Sequence, residues 1–436
     1  MKTVFSKLSF RKSVIALAVL CYSALILAQE VNYDESKIPP YSLSNPLLTS
    51  DKKTIKTEKE WKQQRRPQIF ALFENQMYGK APKKPKNLHF KILSENKNAL
   101  GGTATRKEVA VYFTKGDAHY MTILMYLPNK IKAPVPLFVG LNFEGNYTIN
   151  ADPEITVTTN WVPNNRSISN NRANPALRGS VSSRWPLNLI LDRGYGVATV
   201  YSGDIDPDFH DGFQNGVHPL FYEKGQTQPS SGQWGTIAAW AWGLSRAMDY
   251  FEKDKAVDKK HVAVIGHSRM GKAALWAGAA DERFALVVSN NSGCGGAALS
   301  LRRIGETVAR INTAFPHWFC KNFAQYNNNE DALPFDQHEL IALIAPRPVY
   351  IASAEEDLWA DPKGEFLSGV YASPVYALFG LTGLPAGGEM PKVNQPVLSG
   401  SIGYHIRSGE HDIKTYDWEQ YLNFADKYFK DTPSSR

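Results

Sequence analysis

Residues 262–274 read Val262-Ala263-Val264-Ile265-Gly266-His267-Ser268-Arg269-Met270-Gly271-Lys272-Ala273-Ala274. An apolar run enters a turn holding one serine, and small residues leave it. An unbroken Val/Ile run fits a strand buried on both faces of a parallel sheet. Small residues let a strand and a helix come close. A sharp turn between them lifts the Ser268 hydroxyl clear of the sheet. The next backbone N–H, that of Arg269, then points to where an oxyanion forms. The common spacing of such a nucleophile elbow is G-x-S-x-G. Here the second glycine is displaced by one, to Gly271, and Met270 holds its place. The plain alternative is an ordinary strand-to-helix turn with a capping serine.

Similar apolar runs flank this one. They are Pro136–Leu141, Gly196–Tyr201, Leu286–Ser289 and Pro348–Ala352. Helical patterns lie between or after them, at Trp234–Phe251, from Ala273 to Ala280, and at Asp417–Phe429. Val109–Phe113 and Met121–Leu127 come earlier and read as antiparallel strands. Antiparallel strands followed by alternating β and α elements predict an α/β fold of the α/β-hydrolase kind, with a mostly parallel sheet flanked by helices. Residues 55–78 suit an amphipathic helix that Pro67 should break or kink. Two long polar segments, 147–190 and 203–233, read as loop insertions bordering a site.

A serine nucleophile needs a base, and the base needs an orienting carboxylate. In this fold they follow in the order serine, acid, histidine. The histidines after Ser268 are His317, His338, His405 and His411. His411 falls between the last apolar strand and the final helix, the place for a catalytic histidine. His405 lies inside the strand and reads as structural. The run 348–353 ends in Ala354-Glu355-Glu356-Asp357-Leu358-Trp359. Asp357 is the first choice for the acid and Glu356 the second; the alternative is a solvated acidic loop.

Composition sets the frame. The chain has 436 residues, 43% of them hydrophobic and 21% charged, which excludes an intrinsically disordered polymer. Lys2, Lys7, Arg11 and Lys12 precede an apolar run from Val14 to Ala28. That pattern predicts a cleaved signal peptide over 1–28, with a retained anchor as the alternative, and a single domain over 29–436. The expected compartment is extracellular or periplasmic. Removing those four cations takes the formal charge from +7 to +3. No other segment is apolar enough to span a bilayer. No basic stripe or recognised module supports nucleic-acid binding. The histidines are scattered, and Asp204-Ile205-Asp206-Pro207-Asp208 lacks the Gly and terminal Glu of a calcium loop, so neither metal nor cofactor is expected. Cys294 and Cys320 are the two cysteines beyond the leader, and order alone does not say whether they pair.

The run Gly266 to Lys272 resembles the G-C-S-R-x-G-K elbow of carbohydrate esterase family 15, the glucuronoyl esterases, and departs only at His267. The resemblance runs from about Gln68-Ile69-Phe70 to the C-terminus. It takes in Tyr201–Asp208, Ser292–Ala298, Leu343–Arg347 and the Trp359 loop. It implies a serine esterase of bacterial type in which Ser268 attacks the ester and His411 relays the proton. Arg269 would stabilise the oxyanion, Lys272 and Glu306 would bind sugar hydroxyls, and Trp359 would close over the uronate. The plainer alternatives are a solvated Lys272, an ion pair of Glu306 with Arg302, Arg303 or Arg310, and simple packing of Trp359.

The implied substrate is an ester of glucuronic or 4-O-methylglucuronic acid, as in lignin–carbohydrate linkages on glucuronoxylan. A monomer is expected. Many family members carry a Glu where this chain has Asn291. A neutral amide does not stabilise an imidazolium, which transfers the acid role to Asp357. Fungal members often place a disulfide where this chain has His267 and Asp412, which predicts a hydrogen bond or ion pair between these two. Competing readings are an acetyl-xylan esterase or other α/β-hydrolase, and, in a different class, a non-catalytic carbohydrate-binding protein.

Overall fold

The computed structural model describes residues 31–430, apart from 117 and 133. The expected signal peptide, 1–28, lies outside the described residues. Among the described residues there is one nine-stranded sheet: β1 His89–Ala99, β2 Ala104–Tyr112, β3 Tyr120–Pro128, β4 Val135–Asn142, β5 Gly196–Tyr201, β6 Val257–His267, β7 Leu286–Asn290, β8 Val349–Ala354 and β9 Ile402–Arg407. Their spatial order is β1-β2-β3-β5-β4-β6-β7-β8-β9. The strands from β1 to β5 in that order pair antiparallel, and β5-β4-β6-β7-β8-β9 pair parallel. This is the α/β-hydrolase architecture.

Unbroken apolar strands follow from a sheet covered on both sides. Side chains alternate between faces with period 2. Accordingly Val262, Val264, Val287, Val349 and Ile351 enter one core, and Ala263, Ile265, Val288, Tyr350 and Ala352 enter the other. The helix Thr236–Phe251 lies on the first face with every residue buried. The helix Thr415–Phe429 closes the second with Trp418, Tyr421 and Phe424. The chain order reverses around β4, since β5 lies to one side of it and β6 to the other. That reversal opens a crevice at the carboxyl ends of these strands, where ligands bind in open α/β sheets.

Pro67 does not break its helix. Residues 58–78 stay helical, with wider five-residue turns at Trp61–Arg65 and Glu74–Tyr78 around an α-helical Arg66–Phe73. Proline has no N–H and clashes with the carbonyl four residues back in a regular α-helix. The wider turn ends just before it, with Arg66 N–H bonded to Trp61 O, so Pro67 enters at the start of the α segment. His405 sits fully buried in β9, bonded through Nε2 to Asp417 Oδ1 at 2.8 Å and through Nδ1 to the Tyr350 hydroxyl at 2.9 Å.

Candidate active site

Ser268 joins the end of β6 to the helix Arg269–Ala280 with φ 57° and ψ −130°. This backbone region is disfavoured for a residue with a side chain and costs about 1–3 kcal/mol. Three backbone hydrogen bonds hold it: Ser268 N–H to Asn290 O at 2.9 Å, and Gly271 N–H and Lys272 N–H to Ser268 O at 2.8 and 3.3 Å. The displaced glycine has a steric cause. A Cβ on Gly266 would lie 1.9 Å from the Met270 carbonyl oxygen, and one on Gly271 would lie 3.0 Å from Ser292 Cβ. Strand and helix therefore touch at 266, 270 and 271, and Met270 turns its own side chain into the core. The Arg269 N–H is the first of its helix, so it has no acceptor within the helix and is free to face an oxyanion.

His411 Nδ1 lies 2.5 Å from Asp357 Oδ2. Asp357 is 5% exposed in its side chain, and His411 is 41% exposed. Glu356, one residue earlier, points to solvent. Asn291 donates from Nδ2 to the same Asp357 oxygen at 2.8 Å, so it touches the carboxylate and not the imidazole. Ser268 and His411 are not joined by a hydrogen bond among the described residues. They are linked through His267, whose ring centre lies 4.6 Å from that of His411. Such contacts are often open without substrate and tighten when it binds.

The expected contact of His267 with Asp412 does not form. His267 Nδ1 takes Asn290 Oδ1 at 2.6 Å, and Asp412 accepts from Arg184 Nε at 2.7 Å. Arg184 comes from the 147–190 insertion, which supplies a nearer and permanently charged partner. Burial holds the His267 imidazole well below the usual histidine range, helped by His411 and Arg184. It therefore stays neutral and places no fixed charge beside His411.

The Arg269 guanidinium is held by an acid and an aromatic ring. It pairs with Asp208 Oδ2 at 2.5 Å and lies over the Trp318 ring at 4.9 Å. Asp208 also accepts from Trp318 Nε1 at 2.7 Å and pairs with His317 Nε2 at 3.0 Å. Burial raises its carboxyl, but the His317 contact and the Arg269 charge outweigh that and hold it below the usual carboxylate range. Lys272 is buried. Its Nζ donates to Ser292 O at 2.7 Å and Cys294 O at 2.6 Å and faces Glu306 Oε2 at 3.6 Å. Glu306 thus pairs with Lys272. Arg302 instead takes Asp361 and Glu35, and Arg303 takes Glu330 and Asp331. Trp359 is 41% exposed, and its carbonyl accepts from Glu306 N–H at 3.1 Å, so the two residues share one rim.

A family model described as glucuronyl esterase of fungi matches residues 217–380. Carbohydrate esterase MZ0003, from an unknown prokaryotic organism, is 54% identical over 400 residues, 91% of this chain and 92% of that protein. The structure of a promiscuous esterase of carbohydrate esterase family 15 from a marine bacterial metagenome is 54% identical. It covers 91% of this chain and 99% of its own, with a TM-score of 0.85. The glucuronoyl esterase from Solibacter usitatus is 47% identical over 90% of this chain and 100% of its own, with a TM-score of 0.86. The chain belongs to carbohydrate esterase family 15. It is a carboxylic ester hydrolase of the glucuronoyl esterase kind.

Three supports of this esterase site escaped the sequence reading. Asp208 holds Arg269; it lies in the acidic run 204–208, which the resemblance takes in without implying a role for it. Asn290 holds His267. Glu365 is fully buried and accepts from Ser292 N–H at 2.7 Å, Gly293 N–H at 3.0 Å and Ser353 Oγ at 2.7 Å. It pins the loop whose carbonyls receive Lys272. Cys294 and Cys320 are buried, unpaired thiols. Among the described residues no three His, Cys, Asp or Glu side chains converge as metal ligands. Among them, too, no helix is long and apolar enough to cross a membrane.

Proposed function

We propose that this esterase is exported to the periplasm or medium as a single-domain monomer, residues 29–436, and cleaves esters of glucuronic or 4-O-methylglucuronic acid that join lignin to glucuronoxylan. Ser268 Oγ attacks the ester carbonyl. His411 Nε2 takes its proton, while Asp357 holds the proton on Nδ1 and balances the imidazolium that forms. The tetrahedral oxyanion is met by the Arg269 N–H at the positive end of the helix dipole. The alcohol leaves with the proton from His411, and water then frees the uronic acid by the same steps in reverse.

The Lys272–Glu306 pair presents a donor and an acceptor to sugar hydroxyls. Trp359 at the rim offers its ring to the sugar face. The observation that carries this reading is the buried Asp357 bonded to the half-exposed His411 next to the strained Ser268 turn. The substrate part is supported by the similarity to the Solibacter enzyme.

The test is hydrolysis of methyl and benzyl glucuronate esters set against acetyl-xylan. Wild type is expected to prefer the glucuronates, and Ser268→Ala and His411→Ala to lose turnover while still binding sugar. Preference for acetyl esters would refute the substrate assignment.

A further inference from the structure

His411 rides on the turn 408–414, between β9 and the helix Thr415–Phe429. Its imidazole is 41% exposed and bonds Asp357 through Nδ1. One hydrogen bond fixes a point of the ring and not its plane. The placing of Nε2 against Ser268 therefore depends on the backbone that carries the ring. Two arginines with no part in the proton transfers hold that backbone.

Arg407 ends β9 and is 2% exposed. A guanidinium carries five N–H donors in one rigid plane. Here Nε donates to the two Asp417 oxygens at 3.1 and 2.9 Å, and Nη1 to Ser408 O at 3.0 Å. Nη2 donates to Glu410 O at 3.0 Å and Asp412 O at 2.6 Å, the carbonyls on either side of His411. Asp417 also accepts from Lys414 N–H at 2.7 Å, so the turn wraps around a single buried ion pair.

Arg184 reaches the same turn from the 147–190 insertion. Its Nε donates to Asp412 Oδ1 at 2.7 Å, one residue past His411. The insertion is itself fastened there: Trp418 Nε1 donates to Arg184 O at 2.9 Å, and the Trp185 ring lies 5.8 Å from that of Trp418. Arg184 and Asp412 are 36% and 33% exposed, and ion pairs this open add little to stability. A displacement of about 1 Å at a reacting group, in contrast, slows turnover about 10²-fold.

We propose that Arg407 and Arg184 are positioning residues for the general base, one gripping the peptide groups around His411 from β9 and the other gripping Asp412 from the 147–190 insertion. It rests on the reading of His411 as that base. The insertion thereby takes part in turnover without touching the ester.

The test is turnover of benzyl glucuronate, with a thermal melt of each variant. Arg184→Gln is expected to lower kcat about fivefold, the upper end for a pair this exposed, with KM within about twofold and the melt little changed. Arg184→Lys should recover most of the loss. Asp412→Asn should match Arg184→Gln, and the double variant should be no slower than either alone, because the two act as one pair. Arg407→Lys keeps the charge and loses the fork, and should lower kcat at least about tenfold. If Arg407→Lys misfolds, the half-exposed Arg184 decides the matter. Unchanged kcat in folded Arg184→Gln overturns the assignment, whether or not its melting temperature falls, and so does a rise in KM alone. Losses that multiply in the double variant overturn it too. His411→Ala that still turns over would instead overturn the reading of His411 as the base.

Discussion

Asp357→Asn keeps the shape of the acid and removes its charge. The carboxylate and imidazole are in contact at 2.5 Å, with Asp357 buried and His411 partly open to solvent. Charge centres about 4 Å apart at an effective dielectric near 20 attract by about 4 kcal/mol. At 1.36 kcal/mol per tenfold, losing that from the imidazolium-bearing transition state slows kcat by about 10³. The amide also admits the tautomer with its proton on Nε2, which cannot accept from Ser268, so the loss reaches about 10³–10⁴. Turnover of benzyl glucuronate, with a thermal melt to verify folding, reads this directly. Glu356→Gln serves as the control and should stay within twofold, because that side chain faces solvent. A folded Asp357→Asn within tenfold of wild type, or a Glu356→Gln as impaired as Asp357→Asn, would refute the assignment.

Ser268→Gly should be more stable than Ser268→Ala by about 1 kcal/mol, since glycine adopts φ 57° without strain; equal denaturant midpoints would count against a strained elbow. Trp359→Ala should raise KM for glucuronate esters about tenfold, the worth of one aromatic stacking contact, and leave the melting temperature nearly unchanged because the ring is exposed. A fall in kcat alone would refute the stacking role. Burial pushes the Glu365 carboxyl up to about 8. Its folded value lies above its unfolded one, near 4.3, so its stabilising share is complete below about pH 4 and is lost as pH rises through 8. Melting curves from pH 6 to 9 should therefore slope less steeply for Glu365→Gln than for wild type, and parallel slopes would contradict this.

The strands were legible because their signal is local. Val262–Gly266 and Leu286–Ser289 lie wholly within β6 and β7, and Pro348–Ala352 misses β8 by one residue at its start. Burial on two faces demands apolar residues at every position, whatever the partner strand. Pro67 does not break its helix, because a proline penalty assumes regular α-helical bonding and the turn width changes just before it.

Residue order alone places a strand–turn–helix around Ser268 and sets two candidate carboxylates, Glu356 and Asp357, between it and His411. The fold bonds Asp357 and not Glu356 to His411, because one step along a loop turns a side chain from solvent to interior. The fold also sent His267 to Asn290 and Asp412 to Arg184, and it brought Asp208 to Arg269 across 61 residues and Glu365 to Ser292 across 73. A polar side chain bonds whichever charge or amide the packed loops bring within about 3 Å, and no pattern of neighbouring residues encodes that distance.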